Sequence, residues 1–287
     1  MVFEVPPSKE KSYHPHVVND WQDFVHVVEE LAPRGAGGEG MLFRGQPNAG
    51  WPLIPRIARN RPPTLSTDSL LEIERRLTRA FLHRAHTYLP PALASIGSDG
   101  VRVWTIMQHY GAPTRLLDWT ASPYVAAYFA VRDLLAVGDP PGAIWYFNIR
   151  YMQEGAQHQW GDNYLRLEHF WGHPGADALA RKGAIPMTLE KAMDRMSSQL
   201  AQFTIAGDPS ADHWASITEA QAASDRPNDC GCIAINSELK AEFLRQLYGA
   251  NVQAAALFPG LDGIGQLIHD SLCLSTHAPE FGWGTAP

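Results

Sequence analysis

Gln108-His109-Tyr110-Gly111-Ala112-Pro113-Thr114-Arg115-Leu116-Leu117-Asp118-Trp119-Thr120-Ala121-Ser122-Pro123 is the stretch whose reading decides the fold class. It passes from a helix end through a tight turn into a short strand, and out into a second helix. Gly111 suits the position just past a helix C-terminus, where glycine meets no Cβ penalty. Thr114–Trp119 is short and apolar enough to be a strand. Pro123 then opens a helix at the first helical position, where its missing N–H costs nothing. Arg115 and Asp118 are three apart on that strand, so they point to opposite faces and do not form a simple adjacent ion pair. Ser122 sits where the N–H groups of the next helix are free, a natural contact for an anion or a hydroxyl.

Working outward, residues 100–110 read as the helix that ends at Gly111. Before it, Asp68 is the expected cap of a helix over 69–88, with Leu70, Ile73, Leu77, Phe81 and Tyr88 as its buried stripe. Residues 46–67 carry five prolines and read as an ordered, extended loop. Met41-Leu42-Phe43 reads as a strand running into Arg44-Gly45, and residues 20–32 as a helix that stops at Pro33. Downstream, Ala143–Ile149, Ile233–Ile235 and Ala254–Phe258 read as strands, and 188–200 and 237–248 as helices. Residues 150–186, rich in aromatics, Gly and His, resist assignment. This irregular alternation predicts an α+β fold with a central mixed or antiparallel sheet flanked by helices. We expect one domain over residues 19–275, between a flexible tail at 1–18 and a C-terminal tail at 276–287.

The bulk properties narrow the function. The chain has 287 residues, 45% hydrophobic and 18% charged, which excludes a disordered or fibrous protein. No stretch approaches the roughly 18 apolar residues of a membrane span, and the N-terminus lacks a secretory signal. A cytoplasmic protein without a membrane role is expected. The three cysteines, Cys230, Cys232 and Cys273, read as reduced thiols. A net charge of −7 argues against an extended nucleic-acid surface. Yet residues 34–115 hold eleven Arg, no Lys and five acids, a net +6 that leaves −13 elsewhere. An Arg-rich sector on an acidic protein suits a small phosphate-bearing ligand, which the planar guanidinium grips at two points. Many of these Arg also serve simply to solvate helix faces.

Arg44, at a strand end before Gly45, is poorly placed for ordinary solvation; it either meets a ligand at the sheet edge or ties the next loop to an acid. His109 is a candidate general base, though a lone His is more often structural. The His169/His173 spacing is metal-like, but Gly172 and Pro174 break the helix that a zinc site would need, so no metal is assigned. No dinucleotide Gly-rich fingerprint, P-loop or nucleophile-elbow motif occurs.

Phe43-Arg44-Gly45, the Trp51-Pro52-Leu53-Ile54-Pro55 loop, the run Gln108–Trp119 and the helix Ser122–Ala130 together resemble the FRG domain, a family named for its Phe-Arg-Gly tripeptide. Arg195–Phe203 and Leu257–Gly263 resemble its later segments, so the resemblance spans roughly residues 20–270. The order of these pieces is similar to ADP-ribosyltransferase folds, which set an Arg or His, a Ser or Thr and a Glu around NAD. The resemblance implies an NAD-dependent ADP-ribosyltransferase-like enzyme with NAD as substrate. A protein or nucleic-acid acceptor, a role as toxin or phage-defence effector, and a neutralising partner go with it. It implies Arg44, Asp118, Ser122 and Gln199 as catalytic positions. Arg44 would anchor ribose or pyrophosphate and Ser122 the nicotinamide side, while Gln46, Gln108, His109, Tyr110, Thr114, Arg115, Tyr128 and Phe203 would line the cofactor site. Tyr124 is a further stacking candidate. Gln199 occupies the position of the family's third motif and cannot act as a base, so Asp118 or Asp262 would supply the carboxylate. The alternatives are a ligand- or nucleic-acid-sensing module without catalysis, and a phosphodiesterase using His109 and Asp118.

Overall fold

Period-two runs of branched and aromatic residues supply seven strands in the computed structural model, which describes residues 16–31, 40–85, 87–88, 100–133, 138–160, 183–187, 201–226 and 229–277. They are β1 (His16–Val18), β2 (Met41–Gln46), β3 (Leu116–Thr120), β4 (Gly142–Asn148), β5 (Ala184–Met187), β6 (Ala201–Ala206) and β7 (Cys230–Ile235). They form one sheet in the order β1-β7-β4-β2-β3-β6-β5. β1 runs parallel to β7 and every other ladder is antiparallel. The helices are α1 (Trp21–Leu31), α2 (Thr67–Ala85), α3 (Gly100–His109), α4 (Pro123–Val131), α5 (Ile149–Trp160), α6 (His213–Ala222), α7 (Lys240–Gly249), α8 (Ala254–Leu257) and α9 (Leu261–His277). The chain is therefore α+β with a mixed sheet, as the sequence predicts. None of the described helices is long and apolar enough to cross a membrane.

Side-chain alternation divides the core between the two faces of the sheet. On one face Phe43, Ile144, Ile233 and Ile235 pack under α1, α4 and α7. The same face, farther along the sheet, carries Leu116, Phe203 and Ile205 under α3. On the other face Leu42, Leu117, Trp119, Trp145 and Phe147 meet Met152 and Ala156 of α5 and Trp214, Ile217 and Ala220 of α6.

Two local features place the site. The β2–β3 ladder has a single register pair, Phe43 with Thr120, whereas β2 pairs six residues with β4 and β3 pairs five with β6. The sheet thus opens between Arg44–Gln46 and Leu116–Trp119. On the other side of β2, α4 lies so close that a Cβ on Gly45 would collide with the Ala126 carbonyl oxygen. Glycine in the tripeptide is a packing requirement: it lets the helix that follows β3 press down on β2.

Several boundaries differ from expectation, each for a local reason. Ser66, not Asp68, caps α2, its hydroxyl accepting from the Ser69 N–H at 3.2 Å. α2 buries Leu70, Leu71, Glu74 and Thr78 and leaves Leu77 exposed, while Tyr88 lies beyond its end and is also exposed. The helix is rotated from its apolar stripe because Glu74 must face Arg115. Residues 254–257 form a helical turn instead of a strand, closed by the Phe258 N–H on the Ala254 carbonyl at 2.8 Å; three alanines favour that turn. His16–Val18, placed in the tail from sequence, forms β1. β6, α6 and α9 were not read from the sequence at all. Helix 188–200 lies outside the described residues, as do His169 and His173.

Candidate functional site

The opening between β2 and β3 is filled by the Arg44 side chain. Its Nη1 donates to the Asp118 carbonyl at 2.7 Å and lies 4.0 Å from Asp118 Oδ2. The Arg44 side chain is 13% exposed, that of Asp118 57%. A charge in such a place is costly, and burial pushes the Arg44 pKa down to about 10, opposed by Asp118 and reinforced by Arg59. It remains a cation at neutral pH.

Asp118 is held from the other side by a relay of hydrogen bonds. The Leu116 N–H donates to Thr114 Oγ1 at 3.3 Å, Thr114 donates to Gln108 Oε1, and Gln108 Nε2 donates to Asp118 Oδ1 at 2.6 Å. Gln108 closes α3, so the relay fixes the helix end to the strand edge and aims the carboxylate. The turn between them is the Gly111 turn, with φ +81° at the glycine. His109 and Tyr110 meet edge to face, 4.8 Å between ring centroids, and Tyr110 stays 59% exposed.

The proline-rich loop brings two more cations. Arg56 donates to the Gly111 carbonyl at 2.8 Å, and the Ile57 N–H to the Thr114 carbonyl at 3.2 Å, which staple the loop to the turn. Arg59 donates through Nε to the Ile54 carbonyl at 3.1 Å. Its pKa is lowered, first by burial, against the pull of Asp118 and with the push of Arg56. Two guanidinium groups, Arg44 and Arg59, thus act on one carboxylate, with Arg56 beside Arg59, a corner with a local positive excess suited to an anion.

The expected site residues divide sharply by position. Arg44, Asp118, Gln108 and Thr114 come together at this corner, with His109 and Tyr110 on its flank. Gln46 is buried one pleat along β2, its Oε1 accepting from Trp145 Nε1 at 2.9 Å. Ser122 lies beyond the opposite end of β3, where its hydroxyl caps α4 by accepting from the Val125 N–H at 3.3 Å. Arg115 is 1% exposed and belongs to the core: its guanidinium pairs with Glu74, donates to the carbonyls of Ala206 and Gly207, and lies 4.7 Å over the Trp104 ring. Tyr128 is also in the core, where it donates to Asp270 Oδ2 at 2.6 Å beside Tyr248 and Arg132. Phe203 packs under α3. Tyr124 packs edge to face on Phe24, and Asp262 lies in the first turn of α9. Tyr128, Phe203 and Arg115 therefore present no surface to a ligand at the corner. Gln199 lies outside the described residues.

Arg56, Arg59 and His213 were not singled out from the sequence. For the two arginines the signal was there: an Arg-bearing, proline-spaced loop directly after Phe-Arg-Gly. His213 has no such signal, because its place beside the corner is created by packing of α6. It is fully buried, and burial together with the charge of Arg44 pushes its pKa down to about 3.

The part of the chain that builds this corner is the part that carries a family match. Residues 39–137 match the FRG domain. The matched FRG segment runs from the start of β2 past α4, so it contains Arg44, the proline-rich loop, α3, the relay and Asp118. The later stretches around 195–203 and 257–263 lie outside it. No curated protein and no solved structure matches the chain.

Proposed function

We propose that the Arg44 corner of the FRG segment binds the phosphates of NAD, and that the protein is an ADP-ribosyltransferase-like enzyme. It would cleave the nicotinamide–ribose bond and pass ADP-ribose to a protein or nucleic-acid acceptor. The observation that carries this reading is the juxtaposition of Arg44 and Arg59 with a half-exposed carboxylate, Asp118, and of Arg56 with Arg59. The three cations meet the demand of a pyrophosphate. Loss of nicotinamide leaves a ribose with oxocarbenium character, and a fixed carboxylate beside the phosphate anchors stabilises that developing charge. Gln108 keeps Asp118 pointed outward without adding a charge that would neutralise it. Tyr110 and His109 offer an exposed aromatic flank for a base.

Calorimetry with NAD and a nicotinamide-release assay test the reading on wild type, Arg44→Met and Asp118→Asn. We expect saturable binding in wild type and loss of at least about tenfold in affinity for Arg44→Met. Asp118→Asn should still bind, with nicotinamide release slowed about a hundredfold. Absence of NAD binding at millimolar concentration, or release unaffected by both substitutions, would sink it. A second reading, a nucleotide-sensing module without turnover, is favoured by two contacts. Asp118 Oδ1 is already held by Gln108, and the Ser122 hydroxyl is used as a helix cap. That reading predicts binding lost in Arg44→Met and no nicotinamide from any variant.

A further inference from the structure

Two buried nitrogen atoms at the inner side of the corner have no hydrogen-bond partner among the described residues: Arg44 Nε and His213 Nε2. Arg44 shares one face of β2 with Leu42 and Gln46, and Leu42 marks that face as the one packed by α5 and α6. His213 is the first residue of α6 on the same face. Its backbone N–H donates to the Leu53 carbonyl at 3.0 Å, which ties α6 to the loop that follows β2. The two side chains are close enough for the Arg44 charge to act on the imidazole.

The hydrogen-bond inventory fixes which kind of atom each orphan is. The Trp119 indole N–H can only donate, and it donates to Thr204 Oγ1 at 2.8 Å. Thr204 is fully buried, so its own hydroxyl proton goes to its other partner, His213 Nδ1, at 2.7 Å. Nδ1 is then the acceptor, and the ring proton of the neutral imidazole sits on Nε2. Arg44 Nε carries a proton in any case. Both orphans are therefore N–H donors, and neither can satisfy the other. A buried donor left unmade is costly, and one shared acceptor relieves both. The helix N-terminus itself is not the attraction, because Asp212 already caps α6 by accepting from the Trp214 N–H at 3.0 Å.

We propose that Arg44 Nε–H and His213 Nε2–H form the inner end of the ligand site and take one anionic oxygen of a phosphate-class ligand. His213 is then a further binding residue, held in its donor form by Thr204 and Trp119. The proposal rests on the reading of Arg44 as a ligand anchor, and is independent of whether NAD is turned over. A neutral imidazole N–H beside a guanidinium donates to an oxygen and rejects a cation, so the pair selects for phosphate oxygen over an amine or a metal ion.

The test follows the His213 ring in the full-length protein, by long-range proton–nitrogen spectra of the imidazole, while inorganic pyrophosphate and then ADP-ribose are titrated in. We expect the Nε2–H tautomer in the free protein and a saturable shift of the Nε2 resonance with either probe. By calorimetry, His213→Leu should lose roughly tenfold to a hundredfold in pyrophosphate affinity. His213→Gln, which keeps a donor, should recover much of it with thermal stability unchanged between the two. A shift with pyrophosphate but no nicotinamide release from NAD would keep this inference and end the transferase reading. Saturating pyrophosphate that leaves the His213 resonance unmoved, an Nδ1–H tautomer, or no binding of either probe would overturn it; in the first of these cases the shared acceptor is an internal water.

Discussion

Arg44 and Arg115 stand at either end of the β2–β3 opening, each beside a carboxylate, and the two pairs have opposite designs. Arg115 and Glu74 are both almost fully buried, at 1% and 2% exposure. Glu74 takes two bonds from Arg115 Nε at 2.9 Å, two backbone carbonyls take Nη1, and a Trp ring covers the plane. Every nitrogen of that guanidinium has a partner. Arg44 has one carbonyl, a carboxylate at the limit of ion pairing, an unanswered Nε and a second guanidinium pressing on it. A closed pair holds a fold together, whereas an open one holds a charge ready for something else. Both arginines fall in the sector that the sequence reads as basic, and only their partners separate them.

The largest effect expected from this contrast is on stability. Arg115→Met leaves the Glu74 carboxylate buried without a counter-charge and should cost about 3–5 kcal/mol in a urea titration. Adding Glu74→Leu to it should return most of that loss, because an apolar pair of similar volume is a tolerable substitute for a buried ion pair. If the double variant is as unstable as the single one, the closed-pair description is wrong and the two arginines are less different than the geometry says.

A somewhat smaller effect comes from acid. His213 has a folded-state pKa near 3, below the ordinary value of 6.5, because burial and the Arg44 charge disfavour the imidazolium. Below pH 6.5 the unfolded chain takes up a proton that the folded chain refuses. Stability contributed by the neutral ring is therefore complete above pH 6.5 and is lost as pH falls toward 3, at up to about 1.4 kcal/mol per unit. Comparing pH 7 with pH 5, His213→Gln should reduce the wild-type drop in unfolding free energy by about 2 kcal/mol. An unchanged drop would mean that the ring is protonated in the folded chain, and the assignment of Nδ1 as acceptor from Thr204 would lose its basis.

How much of this was legible beforehand depends on the range of the interaction. The helix–turn–strand–helix order from Gln108 to Pro123 was readable because each signal is local: Gly111 after a helix, Pro123 after a capping Ser. Strand pleating argued against an Arg115–Asp118 pair, and each has another partner, Glu74 and Arg44. Arg44 was singled out because a cation at a strand end has few ordinary explanations. What the sequence hid was contact at long separation. Glu74 pulls α2 away from its apolar stripe to reach Arg115, 41 residues on. Tyr128 looks like a stacking aromatic until its hydroxyl is found on Asp270, 142 residues away. His213 acquires its role from Thr204 on β6 and from Trp119 and Arg44, on two further strands remote in the chain. Periodicity carries no trace of any of these.

The smallest predicted effect is the one that most sharpens the comparison. Asp118→Asn removes the carboxylate that pairs with Arg44 among the described residues, yet its side chain is more than half exposed. An exposed pair contributes about 0–1 kcal/mol, since water already screens most of the attraction. The amide also retains an oxygen that can accept from Gln108 Nε2, so the relay from Thr114 survives. We therefore expect the urea midpoint to move by less than about 1 kcal/mol equivalent, a fraction of the Arg115→Met loss. Removing a negative charge from a corner that already holds three guanidinium groups should, in turn, tighten pyrophosphate binding at low salt and lose that gain at high salt. A large loss of stability in Asp118→Asn would make the Arg44 pair structural after all, a looser copy of Arg115–Glu74. A stable variant that binds pyrophosphate more tightly would show that Asp118 is kept at a cost to anion affinity, which is what a residue retained for chemistry at the bound ligand requires.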